Sequence, residues 1–376
     1  MAEESSFIFS RREFLGYSAA AAALAMLPPA LAACAGGGET YEQAEAATWR
    51  TAQFDEGEMQ AHVREFIRCA TLAPNGHNAQ AWQFSYQGDT VTLRPDFNRR
   101  LAVVDPDDRE LYISLGAALE NLAVAAGAAG YTAGVTYFPD TEPDGVTVRL
   151  TAAAATGTEL AAAISQRQTT RSAYDGRPLA GEDLARLQAL PLEPGAGLHW
   201  FASGDELESL ATWVMQGDRA QYADGAFVGE LVTWLRFNDA EALRSHDGLY
   251  ARCSGNPTAP RWVGRMFLAL TGAEGMAKQD AEKLRSSSGA VLFVSAADDR
   301  HAWVDTGRVY ERFALTAAHL GIQTAFLNQP VEVSSLRAQM QTDLALGDAY
   351  PQLLVRYGHA AAMPRSLRRP LEEVLV

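Results

Sequence analysis

From Gly116 to Pro139 the chain reads GAALENLAVAAGAAGYTAGVTYFP, and from Gly307 to Pro330 it reads GRVYERFALTAAHLGIQTAFLNQP. The pairs Gly116/Gly307, Gly130/Gly321 and Pro139/Pro330 share one offset, 191 residues. Ala123 with Ala314 and Ala126 with Ala317 fall at the same offset. Alanine matches are weak in an alanine-rich chain. Two helix-flanking glycines and a proline constrain the backbone, and their coincidence marks an internal duplication. A helix packed on its own duplicate makes a pseudo-dimer about a two-fold axis, the commonest symmetry of homodimers.

The repeat sits in a chain of alternating helices and strands. Arg109 to Ala129 reads as a long helix rich in Ala and Leu, closed by Gly130. Arg308 to Leu320 is its counterpart, closed by Gly321. Upstream, Met59, Val63, Phe66, Ile67 and Ala70 recur at helical spacing, and Pro74-Asn75-Gly76 ends that helix. Trp82–Tyr86 and Val91–Leu93 read as strands around Gly88-Asp89. Strands are expected near 131–138 and 146–150, and a helix near 159–165. In the second half, 203–215 and 227–237 read as helices, 244–260 as a loop, and 290–295 and 350–357 as strands.

The first residues carry a different message. Ser10-Arg11-Arg12-Glu13-Phe14-Leu15-Gly16 is a twin-arginine export signal, followed by an apolar run from Ala19 to Met26. Leu31-Ala32-Ala33-Cys34 resembles the lipobox of bacterial lipoproteins. The run is too short and alanine-rich for a spanning helix, which needs roughly 20 strongly apolar residues, and Pro28-Pro29 interrupts it. The alternative to a lipid on Cys34 is ordinary cleavage after Ala30-Leu31-Ala32. We therefore expect a signal over residues 1–33, a flexible tether over 34–54, and two halves over 55–190 and 191–376. The twin-arginine route carries folded proteins, so the expectation is a cofactor enzyme in the periplasm, lipid-anchored to a membrane.

Composition excludes more than it selects. The 376 residues allow two domain-sized units, and the net charge is −15. So acidic a chain is not expected to bind nucleic acid, whose phosphates need a basic surface. Cys69 and Cys253 could pair outside the cytoplasm, but two cysteines make no disulfide framework. Cys69 lies in a helical apolar pattern and reads as a small buried hydrophobe. CxxC, HExxH, Walker A, GxSxG and GxGxxG motifs are all absent, and the seven histidines show no metal-ligand spacing.

Two strings carry chemistry. Ala73-Pro74-Asn75-Gly76-His77-Asn78-Ala79-Gln80-Ala81-Trp82 joins a helix to a strand. Asn78 and Gln80 offer amide donors and acceptors, which suits the edge of a heteroaromatic ring; the alternative is a plain loop with polar decoration. Arg167-Gln168-Thr169-Thr170-Arg171 sets two guanidiniums around hydroxyls, a match for phosphate; the alternative is a solvated basic turn. A third basic group, Arg365, Arg368 and Arg369, precedes Pro370-Leu371-Glu372-Glu373. Two such clusters in an acidic chain could flank one anion.

Together these motifs resemble the nitroreductase family of flavoproteins, in particular its tandem Acg-like branch, from about Glu56 to the end. The family's loop is similar to Ala73–Trp82, its phosphate motif to Arg167, Thr169 and Arg171, and its C-terminal element to Arg368 and Arg369. Asn75 replaces the usual serine, and Ala81 the usual second proline. The resemblance implies an α+β fold, antiparallel sheets surrounded by helices, doubled in one chain as an intramolecular pseudo-dimer. It implies FMN as cofactor, held by Pro74, Asn75, His77, Asn78, Gln80, Arg167, Thr169, Arg171, Leu327, Asn328, Arg368 and Arg369. No side chain is expected to act as a catalyst, since the flavin carries the chemistry. The first half keeps the loop and lacks the phosphate pattern. The second keeps the arginines, but Pro191–Trp200 stands where the loop should recur and lacks its Asn and Gln. One complete site per chain follows, along with a long insert in the second half ahead of its long helix. The expected partners are a small substrate, nitroaromatic or quinone-like, and a membrane electron donor, with one chain doing the work of a dimer. The rival reading is a flavin-holding protein without turnover, with residues 244–261 as its lid.

Overall fold

In the first half, β1 (Trp82–Gln87), β2 (Thr90–Pro95), β3 (Tyr131–Tyr137) and β4 (Val146–Ala152) pair antiparallel in the order β1-β2-β4-β3. In the second, β5 (Ala196–Phe201), β8 (Gly289–Ser295), β9 (Gln323–Phe326) and β10 (Tyr350–Gly358) repeat that order as β5-β8-β10-β9. Between them β6 (Leu235–Arg236) and β7 (Leu249–Tyr250) form a short parallel pair. The fold is thus α+β and doubled. This computed structural model describes residues 39–54 and 59–376. The twin-arginine signal, the lipobox and Cys34 lie outside the described residues.

Each sheet sends one long helix across the middle of the molecule, Arg109–Ala128 from the first and Arg300–His319 from the second. Both end at glycines in the left-handed region, Gly130 at φ 84° and Gly321 at φ 72°. The first is apolar on nearly every side because it lies between its own core and the other helix. Among the described residues it is the one helix long and apolar enough to cross a membrane, and it is a core helix. The two helices touch through glycine. A Cβ on Gly116 would lie 1.9 Å from the Val304 carbonyl oxygen, and one on Gly307 would lie 1.9 Å from that of Ile113. Val304 and Ile113 share the repeat offset of the glycines, so the contact is reciprocal, as across a two-fold axis.

The halves differ in one connection. Gly88-Asp89 joins β1 to β2 as a two-residue hairpin. Residues 202–288 separate β5 from β8, and they carry the helices Gly204–Ala223, Gly225–Trp234, Asp239–Ser245 and Arg261–Arg285. This is the expected insert, placed between two strands. The second long helix also begins earlier than Arg308. Asp299 caps it by accepting from the Ala302 N–H at 2.9 Å, so it starts at Arg300.

Three boundaries need correction. The expected tether over 34–54 contains a helix, Tyr41–Thr48, and both Tyr41 and Trp49 are buried. The boundary at 190 is too late. Leu187 packs in the second core, and Thr169 bridges Thr324 on β9. Conversely the last residues return to the first sheet, where the Val376 N–H donates to the Phe84 carbonyl at 2.9 Å. The halves therefore exchange ends, which hydrophobic periodicity cannot reveal. Within Pro191–Trp200, only 191–195 answers to the loop, because Ala196–Trp200 belongs to β5. Cys69 and Cys253 are both buried free thiols, so they do not pair.

Candidate functional site

The helix Met59–Thr71 ends on carbonyls with no partner inside the helix. Two arginines from distant segments meet them there, where the helix dipole favours cations. Arg368 donates from Nε to Thr71 O at 2.8 Å and from Nη2 to Leu72 O and Ala73 O at 3.2 Å each. Arg167 donates from Nη2 to Leu72 O at 2.9 Å. Beside them opens a cleft. Pro74, Asn75, Asn78, Arg167, Thr169, Arg171 and Arg368 line it, so seven of the expected site residues come together.

The loop beyond the helix is strained. His77, Asn78 and Gln80 have φ of 48°, 53° and 53°. Non-glycine residues rarely adopt this region, and each costs on the order of 1–3 kcal/mol. Hydrogen bonds hold the strain. Asn75 Oδ1 accepts the Gln80 N–H at 2.8 Å. Asn78 Nδ2 donates to Gly248 O at 3.1 Å and Leu367 O at 3.2 Å, and its Oδ1 accepts from Arg368 at 3.0 Å. Gln80 Nε2 donates to His246 O at 2.9 Å, and its Oε1 accepts the Arg369 N–H at 2.8 Å.

These bonds revise the roles expected from sequence. The amides of Asn78 and Gln80 are used inside the protein, and Gln80 does not line the cleft. Both residues join the loop to the insert and to the C-terminal segment. Leu327 is buried in the second half's core; Asn328 accepts from Leu354 N and donates to Glu110. Neither lines the cleft, whereas Phe326 does. Arg369 pairs with Glu373, away from the cleft. His77 also lies outside the lining, and burial followed by the charge of Arg171 pushes its pKa down to about 4.

The cleft is cationic. Arg167 is 2% exposed, and its Nη1 has no hydrogen-bond partner among the described residues. Its Nε lies 3.2 Å from Glu311 Oε1, an ion-pair contact without hydrogen-bond geometry. Arg171 makes no hydrogen bond or ion pair among the described residues, and burial lowers its pKa. Arg365 pairs with Glu45 at 3.3 Å. Burial, with the like charge of Arg167, brings Arg368 down to about 9. The Trp49 ring lies 5.9, 5.3 and 5.0 Å from the guanidinium carbons of Arg167, Arg365 and Arg368. Trp49 had no sequence signal, since it belongs to the expected tether. Arg365 stood in the third basic group but was not singled out.

The repeat-related position is filled. Glu120 is the equivalent of Glu311, again at the offset of 191. Glu120 binds Arg308 at 3.1 Å and Arg312 at 2.8 Å. Glu193, from the loop counterpart, binds the same two arginines at 3.1 and 3.0 Å. Two glutamates neutralise two arginines there, so neither Arg308 nor Arg312 is open to an anionic ligand among the described residues.

Glu311 makes the live site sensitive to pH. It is fully buried, and desolvation outweighs the attraction of Arg167, pushing its carboxyl up to about 7. A raised folded-state pKa stabilises fully below the unfolded value near 4.5 and loses that contribution as pH rises through about 7. The window corresponds to roughly 3 kcal/mol. Glu311→Gln should remove this part of the pH dependence, so the variant should gain about 2–3 kcal/mol on wild type between pH 5 and pH 8. Urea unfolding at both pH values checks it; an unchanged difference would mean another group titrates.

No family profile matches the chain. "Putative NAD(P)H nitroreductase Rv3131" of Mycobacterium tuberculosis is 29% identical over 326 residues, covering 83% of this chain and 90% of that protein. "Putative NAD(P)H nitroreductase acg" of the same organism is 26% identical over 324 residues, 83% of this chain and 94% of that protein. Among solved structures, an NADPH:FMN oxidoreductase from Vibrio harveyi covers 56% of this chain and 73% of its own at 11% identity, with a TM-score of 0.34. A nitroreductase with bound FMN from Bacteroides fragilis covers 54% and 89% at 17% identity, with a TM-score of 0.32. Along most of its length the chain is similar to mycobacterial proteins that carry the name putative NAD(P)H nitroreductase.

Proposed function

We propose that this chain is an exported, FMN-dependent oxidoreductase of nitroreductase type, with one cofactor site per chain and a small electron-poor substrate of nitroaromatic or quinone kind. The observation that carries this reading is the desolvated Arg171, with no partner of its own, beside the open Nη1 of Arg167 in one cleft. A buried guanidinium with an open N–H, such as that of Arg167, is costly unless an anion meets it, half-buried Arg171 adds a second positive charge beside it, and a dianionic phosphate accepts several charge-assisted hydrogen bonds. Arg167, Thr169 and Arg171 would hold the phosphate, with Arg365 and Arg368 adding positive charge. Pro74 and Asn75 would border the ring, and Trp49 would wall the phosphate end. FMN, when bound, supplies hydride or electron transfer, and the protein supplies position and electrostatics. The neutralised cluster at Glu120 supports a single site.

One observation favours a second reading, a flavin holder without turnover. The insert closes over the loop through Gly248, His246 and Asp247, the last paired with Arg99. The purified chain separates the readings. A flavin absorption spectrum at one FMN per chain is expected, with reduction by a nicotinamide or quinol donor and reoxidation by a quinone. Absence of flavin after reconstitution overturns the cofactor. Bound flavin that no donor reduces leaves the holder.

Location belongs to the same proposal. Replacing Arg11 and Arg12 by lysine should leave precursor in the cytoplasm, and export of that variant by the general secretory route would refute it. In the periplasm a membrane redox protein or quinol suits the role of donor better than a nicotinamide.

A further inference from the structure

We infer that the first part of the insert's last helix, Arg261–Thr271, is a docking face that lies in the interface of a phospholipid bilayer. Trp262, Met266, Phe267 and Leu270 are 70%, 46%, 57% and 65% exposed. At helical spacing these four share one side. Isolated exposed apolar residues are ordinary, but a contiguous patch of large ones on a single helix marks an interaction surface.

The helix is built to present this side. Gly272, at φ 59° and ψ −177°, breaks the helical path. Beyond it Ala277, Ala281 and Leu284 are buried, and Ala281 and Leu284 share a core with the helix Gly204–Ala223. Before it Val263 alone is buried, and a Cβ on Gly264 would lie 2.0 Å from the Phe237 ring. The segment is therefore anchored along Val263 and Gly264, and its apolar side is turned outward.

Charge points to the occupant. The chain carries −15, yet no Asp or Glu occurs between Gly248 and Ala273, where Arg252, Arg261 and Arg265 lie; Arg252 and Arg261 pair with Glu42 and Glu241, and Arg265, next to Met266, makes no ion pair among the described residues. Trp, Phe and Leu on one side of a helix with arginines beside them is the composition of helices that lie in a bilayer interface. A second copy of the chain fits less well. The four side chains expose on the order of 500 Å², below the roughly 800 Å² per partner of a standard stable interface.

The position of the chain's start agrees, and here the inference rests on the proposed lipid at Cys34. Tyr41 packs on the insert, its ring 4.5 Å from that of Tyr250 and its hydroxyl 3.5 Å from Cys253 Sγ. Arg261, at the head of the docking helix, binds Glu241 of the same insert at 3.2 Å. Six residues separate Cys34 from Tyr41. Such a leash spans at most roughly 25 Å, so a lipid on Cys34 would keep the insert at the membrane surface.

The test uses the full chain carrying Cys34→Ser, so that no lipid contributes, with phosphatidylcholine–phosphatidylglycerol vesicles whose acyl chains are brominated. Residues 1–48 contain no tryptophan, so an apolar signal that itself binds vesicles gives no quenching. Tryptophan quenching should be at least twofold larger for this chain than for the same chain with Trp262→Phe. Phe267→Glu with Leu270→Glu should remove the difference without moving the melting temperature, since both side chains are exposed. Equal quenching with and without Trp262 overturns the proposal. So does a dimer that the double variant converts to monomer, because the patch would then join two copies. Quenching at Trp262 with no lipid found on Cys34 in cells would uphold the docking face and refute the lipid; the reverse pattern would do the opposite.

Discussion

Arg171→Ala is expected to weaken FMN binding ten- to a hundredfold while leaving the stability of the apoprotein unchanged or slightly raised. The guanidinium is desolvated and makes no hydrogen bond or ion pair among the described residues, so its removal breaks no bond in the fold. What is lost is a charge-assisted contact to phosphate, worth about 1.5–3 kcal/mol. Arg167→Ala should behave differently. It strips Leu72 O of a donor and leaves Glu311 buried without its counter-ion, so stability falls together with affinity. Breaking a buried pair costs about 3–5 kcal/mol, reduced here at low pH where Glu311 takes up a proton. Riboflavin, which lacks the phosphate, is the control. Titrating both flavins against Arg171→Ala should show the loss for FMN alone; equal losses would make the arginine part of the scaffold.

Gly307→Ala is expected to destabilise the chain by about 3 kcal/mol or more, lowering the melting temperature by roughly 5–10 °C. The new Cβ would lie 1.9 Å from the Ile113 carbonyl oxygen and 2.8 Å from the Ala117 amide nitrogen. Both are backbone atoms of a helix packed on all sides, so the two long helices must move apart and open the cores they join. Gly116→Ala meets Val304 in the same way and should cost a similar amount. The double variant should cost less than the two single costs together, because one separation of the helices relieves both clashes. Calorimetry decides it. A Gly307→Ala chain within about 0.5 kcal/mol of wild type would mean that the helices slide freely, and the reciprocal crossing would not be what joins the halves.

The parts of this protein legible in its sequence are those set by local backbone constraint. Gly116 and Gly130 recur at one offset because each repeat needs the same close approach and the same left-handed helix end. The helix from Met59 and the strands around Gly88 announce themselves by period, since each buries one face. The arginines at 167 and 171 stand out because a basic cluster is conspicuous in an acidic chain. What remained hidden depends on which distant segments meet. Nothing near Trp49 says that it will lie among three guanidiniums, two of them more than 300 residues away. Asn78 and Gln80 read as free amides because their partners, His246, Gly248, Leu367 and Arg369, come from an insert and a C-terminal segment whose paths only the folded sheets define. Side-chain chemistry and spacing were written in the chain. Whether a polar group faces a ligand or is satisfied by backbone from elsewhere was decided by tertiary structure, because a hydrogen bond is local in space while a sequence is local only along the chain.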